Sequence, residues 1–76
     1  MKELVTFLAA ALVDDREAVR VNEVERDDAT VFELRVAKED LGKVIGKQGR
    51  TARAIRSLLS ASAARENRKA RLEILD

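Results

Sequence analysis

The 76-residue chain contains neither cysteine nor histidine. Together these absences remove thiol nucleophiles, the usual zinc ligands, Ser–His pairs and imidazole acid–base groups, so enzymatic chemistry is disfavoured. Tryptophan and tyrosine are also missing, and the two aromatics, Phe7 and Phe32, stand at core-like spacings. Long hydrophobic runs are lacking too: the longest, Phe7 to Val13, meets Asp14-Asp15 and is too short to cross a bilayer. No basic leader with a cleavage site opens the chain, so a cytoplasmic location without membrane contact is expected.

What is present points to one small domain spanning residues 1–76, with 46% apolar and 38% charged residues. A chain this short buries only about 60% of its unfolded surface, so a partner can add stability. The net charge of +1 conceals a division. Residues 1–41 carry six Lys/Arg against eleven Asp/Glu, a balance of −5, whereas residues 42–76 carry nine against three, a balance of +6. Such asymmetry places a polyanion-attracting face on an otherwise acidic body. The acidic pairs Asp14-Asp15 and Asp27-Asp28 read as turn residues whose carboxylates accept backbone hydrogen bonds, rather than as a metal or catalytic site.

Periodicity orders the chain. Leu4, Val5, Leu8, Ala11 and Leu12, widened by Phe7, predict an amphipathic helix over residues 2–13. Alternating residues predict a strand over 17–25, a turn at Asp27-Asp28, and a second strand over 30–37 with Phe32, Leu34 and Val36 on one face and Glu33 and Arg35 on the other. Residues 38–45 read as a short helix with Glu39 and Asp40 in its first turn and Leu41, Val44 and Ile45 apolar. Arg50 to about Glu66 reads as a longer helix whose stripe is Ala52, Ile55, Leu59 and Ala63. A last strand, 68–75, turns Ala70, Leu72 and Ile74 to one side. The predicted order is α-β-β-α-α-β, an α+β fold whose three-stranded sheet is wet on one face and covered by helices on the other.

All three glycines, at 42, 46 and 49, fall within this middle stretch. Their spacing fails the nucleotide-hydrolase loop, because only three residues separate Gly42 from Gly46 and Gln48 follows Lys47 where Ser or Thr should bind magnesium. It also fails the dinucleotide fingerprint, which opens directly from a strand. Gly46 as a helix C-cap and Gly49 as an aid to a tight turn is the bland alternative. Lys47 and Arg50 set cations beside that turn, where glycines would let a phosphate approach main-chain N–H groups at a helix start.

Val44-Ile45-Gly46-Lys47-Gln48-Gly49, preceded by two strands and followed by a basic helix, resembles the V-I-G-x-x-G motif of the KH (K-homology) RNA-binding family. The element order is similar to the type II arrangement, and within that family the whole chain most resembles the small stand-alone bacterial KhpA proteins. The resemblance implies a single KH domain without cofactor or metal that clamps single-stranded RNA through its G-K-Q-G loop, as an RNA chaperone or post-transcriptional regulator. The implied RNA-binding residues are Lys43, Val44, Ile45, Gly46, Lys47, Gln48, Gly49, Arg50 and Arg53, with bases lying over Val44, Ile45 and the sheet near Leu34 and Val36. It further implies a homodimer, or pairing with a KhpB-like (Jag/EloR) KH protein. Ala54, Leu58 and Ala61, on a flank of the last helix apart from its core stripe, are the candidate partner surface, or alternatively the edge of a broad core stripe. A dimerising adaptor, with RNA binding secondary, is the alternative function.

Overall fold

A computed structural model describes residues 1–76. Its elements are α1 (Lys2–Leu12), β1 (Arg20–Arg26), β2 (Ala29–Arg35), α2 (Leu41–Ile45), α3 (Arg50–Ala64) and β3 (Lys69–Leu75), with short 3-10 turns at Arg16–Ala18, Lys38–Asp40 and Lys47–Gly49. The sheet order is β1-β2-β3, antiparallel between β1 and β2 and parallel between β2 and β3. No helix is long and apolar enough to cross a membrane.

The register sorts the side chains. Val21 pairs with Leu34 and Glu23 with Phe32, while Phe32 and Leu34 align with Leu72 and Ile74, so these residues share the helix-covered face. The opposite face receives Arg20, Asn22, Val24 and Arg26 from β1, Glu33 and Arg35 from β2, and Lys69, Arg71 and Glu73 from β3. Phe32, Leu34, Val44, Ile55, Leu59 and Leu72 join Val5, Ala9 and Val13 in one core. The α3 stripe Ala52, Ile55, Leu59 and Ala63 is buried throughout, and truncating the inaccessible Leu59 to Ala should cost about 2–5 kcal/mol.

Several expectations need correction, among them that β2 ends at Arg35 rather than at residue 37 and that the helix predicted over 38–45 is α-helical only from Leu41. Phe7 is 69% exposed, and Ala11 and Leu12 are also exposed. The buried line of α1 is Val5 and Ala9, continued by Val13, and a residue midway between two such positions points nearly the opposite way on a 3.6-residue helix. The first strand begins at Arg20 rather than Glu17, because Arg16–Ala18 winds into a turn. The guanidinium of Arg20 braces that turn by donating to the carbonyls of Glu17 (2.6 Å) and Val19 (2.8 Å). Finally, α3 stops at Ala64, where Asn67 takes φ 58° and Arg68 N–H returns to Ala63 O at 2.8 Å; Asn tolerates this left-handed helix exit.

Candidate nucleic-acid interface

The G-K-Q-G loop is shaped by its neighbours before any ligand is considered. Gly46 closes α2 by donating to Gly42 O at 2.8 Å, at φ 78° and ψ 169°, a region essentially reserved for glycine. A Cβ there would collide with Thr51 Oγ1 and lie 2.7 Å from Thr51 Cβ, so the start of α3 is packed directly onto this glycine. Gln48 (φ 58°, ψ 26°) and Gly49 (φ 74°, ψ 14°) are both left-handed, and Arg50 returns to right-handed helix at φ −65°, ψ −40°. The change of hand between Gly49 and Arg50 leads the loop into α3, with the N–H groups on both sides of it used inside the protein. Gly49 N–H bonds Gly46 O at 3.1 Å and Arg50 N–H bonds Lys47 O, whereas the N–H groups of Lys47 and Gln48 have no protein acceptor.

The charges at this loop oppose the ordinary preferences of a helix. α3 starts without a side-chain cap and without an acid in its first turn, yet Arg50 and Arg53 stand there. Cations at a helix N-terminus are disfavoured by about 0.3–1 kcal/mol each, and a bound anion would reverse that sign. Arg53 donates to the Gln48 carbonyl at 3.0 Å and Arg50 to Gln48 Oε1 at 3.4 Å, so both guanidinia fold back over the loop. Lys47, Arg50 and Arg53 are all exposed, and none makes a salt bridge.

Lys43 is in a different condition. Its ammonium lies 3.2 Å from Asp14 and 3.2 Å from Asp40, and Asp40 also accepts the Asp15 N–H at 3.1 Å. Asp40 is 2% exposed, and the Asp15 N–H, joined by Lys43, holds its carboxyl below the usual range despite the opposing effect of burial. Donating hydrogen bonds first to Asp14 and then to Asp40 holds the Lys43 ammonium's pKa above its ordinary value. This group ties the end of α1 to the start of α2.

The remaining sequence candidates divide by exposure. Val44 and Leu34 have no accessible surface, so neither can lie against a base; both belong to the core. Ile45 is 40% exposed at the end of α2, and Val36 is half-buried. Ala54, Leu58 and Ala61 are all exposed on α3, Leu58 by half, so they lie outside the core stripe. Sequence reasoning missed Thr51, which packs on Gly46, and Asp40, which anchors Lys43. The three-residue spacing from Asp40 to Lys43 on adjoining helical turns was the available signal for the second.

A three-stranded sheet covered on one face by helices, with a G-x-x-G turn joining two of them, defines a KH-type module. The chain matches the family described as KhpA/KhpB, KH domain, over residues 2–74. It is 51% identical over 74 residues to the RNA-binding protein KhpA of Borreliella burgdorferi, covering 97% of this chain and 90% of that one. It is 53% identical over 75 residues to the RNA-binding protein KhpA of Clostridium perfringens, covering 99% and 100% respectively. The fold also resembles part of Aquifex aeolicus Era Y63A in a crystal structure with GDP·AlF4−, at a TM-score of 0.61 and 24% identity, covering 96% of this chain but only 28% of that one. The chain belongs to the KhpA/KhpB KH-domain family.

Proposed function

We propose that this protein binds single-stranded RNA by clamping about four nucleotides of backbone in the Gly46–Gly49 loop. The observation that carries the reading is the uncapped, acid-free start of α3 beside three exposed cations without salt bridges, Lys47, Arg50 and Arg53. Lys47 and the free loop N–H groups meet phosphate oxygens, Arg50 and Arg53 continue the rail, and Ile45 offers an exposed aliphatic contact to a base. Lys43 serves as a strut between α1 and α2, and Val44 as part of the core. The named relatives support RNA as the ligand, and the work is that of an RNA chaperone or post-transcriptional regulator in the cytoplasm, without catalysis.

The test is a fluorescence-anisotropy titration of labelled tetrauridylate with wild type and with Lys47→Asp/Gln48→Asp. The double variant should keep its circular dichroism and lose binding. Undiminished binding by the folded variant would sink the assigned site. If about three phosphates are neutralised, log affinity should fall with log salt at a slope of about −2.

The exposed flank Ala54, Leu58 and Ala61 supports a second reading, in which α3 joins another copy or a KhpB-like KH protein and raises the effective concentration of weak clamps. Sedimentation of wild type and Leu58→Asp separates the two roles. An adaptor loses its partner on that change, whereas a monomeric clamp sediments unchanged and still binds RNA.

A further inference from the structure

The open face of the sheet is a second basic surface, on the side away from the helices and the G-K-Q-G loop. Arg20 and Arg35 are direct cross-strand partners on it, a like-charge pairing that destabilises a sheet unless something offsets it. Both are exposed, as are Arg71 and Lys69 on β3, and none of the four makes a salt bridge, their protein acceptors being only the Glu17 and Val19 carbonyls for Arg20 and the Asp76 main-chain oxygen, at 3.4 Å, for Arg35. The two strand acids of the face, Glu33 and Glu73, are both taken up by Arg26, at 3.4 and 3.6 Å. Between Arg20 and Arg35 lies a shallow depression of about 290 Å³, completed by Val21, Asn22 and Glu33. Val31 sits in register between Val24 and Arg71 and is only 3% exposed although no helix lies over it, which is consistent with long charged side chains lying across the strands.

From this juxtaposition we infer that the open sheet face is a second RNA-backbone site. It takes the phosphates of another part of the same strand, or of a second strand, while the clamp holds the first. The inference rests on the clamp reading and extends it, because a small domain with basic surfaces on two sides can hold two RNA segments together. Phosphate contact here carries no base information: it is set by guanidinium geometry and charge. The acidic balance of residues 1–41 does not oppose it. The alternation of β1 and β2 sends Arg20, Arg26 and Arg35 to the open face and Glu23 and Glu25 to the other.

The experiment compares tetrauridylate, which only fills the clamp, with an oligouridylate several times longer, using Arg20→Ala/Arg35→Ala and the milder Arg35→Ala/Arg71→Ala. The second pair spares the Arg20 brace of the Arg16–Ala18 turn, so a folding defect in the first variant is recognised. Lys2→Ala/Arg16→Ala removes the same charge elsewhere. Both face variants should bind tetrauridylate as wild type does, yet weaken on the long RNA with a salt slope shallower by about 1.4, or about 0.7 per lost phosphate. The control pair should leave the slope unchanged. In the Lys47→Asp/Gln48→Asp background, low-salt binding of the long RNA should persist and vanish when Arg20 and Arg35 are also removed. An unchanged slope in the folded face variants overturns the second site and leaves the clamp standing; tetrauridylate binding lost in the face variants but kept in Lys47→Asp/Gln48→Asp overturns the clamp itself.

Discussion

Between Lys43 and Arg53 the chain carries four cations in two different conditions. Lys43 lies between two carboxylates, one of them buried, and has its charge answered by the protein although its side chain stays exposed. Lys47, Arg50 and Arg53 follow within a few residues and find no acid, although they crowd a helix terminus that disfavours them. The contrast separates a cation that builds the fold from cations whose charge the protein leaves unanswered. Residue type alone does not make that distinction; what surrounds each charge does.

The largest effect should come from exchanging the two conditions. Lys47→Asp/Gln48→Asp should lower tetrauridylate affinity by roughly tenfold or more, since one charge-assisted phosphate contact is worth about 1.5–3 kcal/mol. Lys43→Met should leave that affinity nearly unchanged and lower the melting temperature instead. Isothermal titration and thermal melts on both variants check the pair, and a Lys43→Met protein that melts normally but loses RNA would break the contrast.

Next in size is the difference between the two loop glycines. Gly46→Ala meets both a forbidden backbone region and the Thr51 side chain, and should cost about 2–4 kcal/mol in urea unfolding. Gly49→Ala meets only the backbone penalty of about 1–2 kcal/mol, because nothing lies near its missing Cβ. Gly49→Asn should recover part of that loss. Equal costs at 46 and 49 would mean that the packing of Thr51 on the loop is unimportant.

Much of this frame was legible in the sequence because it rests on periodicities. The α3 stripe and the Phe32/Leu34 face each follow from a spacing that only one local geometry satisfies, whereas the glycine spacing also fits a plain helix cap and tight turn. Phe7 misled because a bulky apolar residue in an apolar helix carries no mark of which way it points. Lys43 misled for a different reason. Its partner Asp14 lies on the far side of two strands in sequence, so only the fold brings them together. The open-face arginines were hidden inside a net-acidic stretch, since a charge tally by position averages two sheet faces that alternation separates.

A smaller effect tests the strut through pH. The Asp40 carboxyl is held below its ordinary value of about 3.9, so its stabilising contribution is complete above that pH and is lost as pH falls through the lower folded value. Lys43 is raised above about 10.4, so its contribution is complete below that pH and fades as pH rises through the higher folded value. Wild type should therefore out-melt Asp40→Asn across the neutral range, with the gap closing in strong acid. A gap that stays constant into acid would show that Asp40 does not work through its charge.

The smallest effect expected is at Gln48, which accepts from both Arg50 and Arg53 while occupying a left-handed backbone region. A non-glycine residue there costs about 1–2 kcal/mol, and glycine would relieve it at an entropic cost of about 0.5–1 kcal/mol. Gln48→Gly should thus fold as well as wild type or up to about 1.5 kcal/mol better. If the strained glutamine is retained for RNA, the same variant should bind tetrauridylate about threefold more weakly, the size of one neutral hydrogen bond. A variant both more stable and equally avid would leave the left-handed glutamine without a ligand-binding reason, and would move the centre of the clamp onto Lys47 and the free backbone N–H groups.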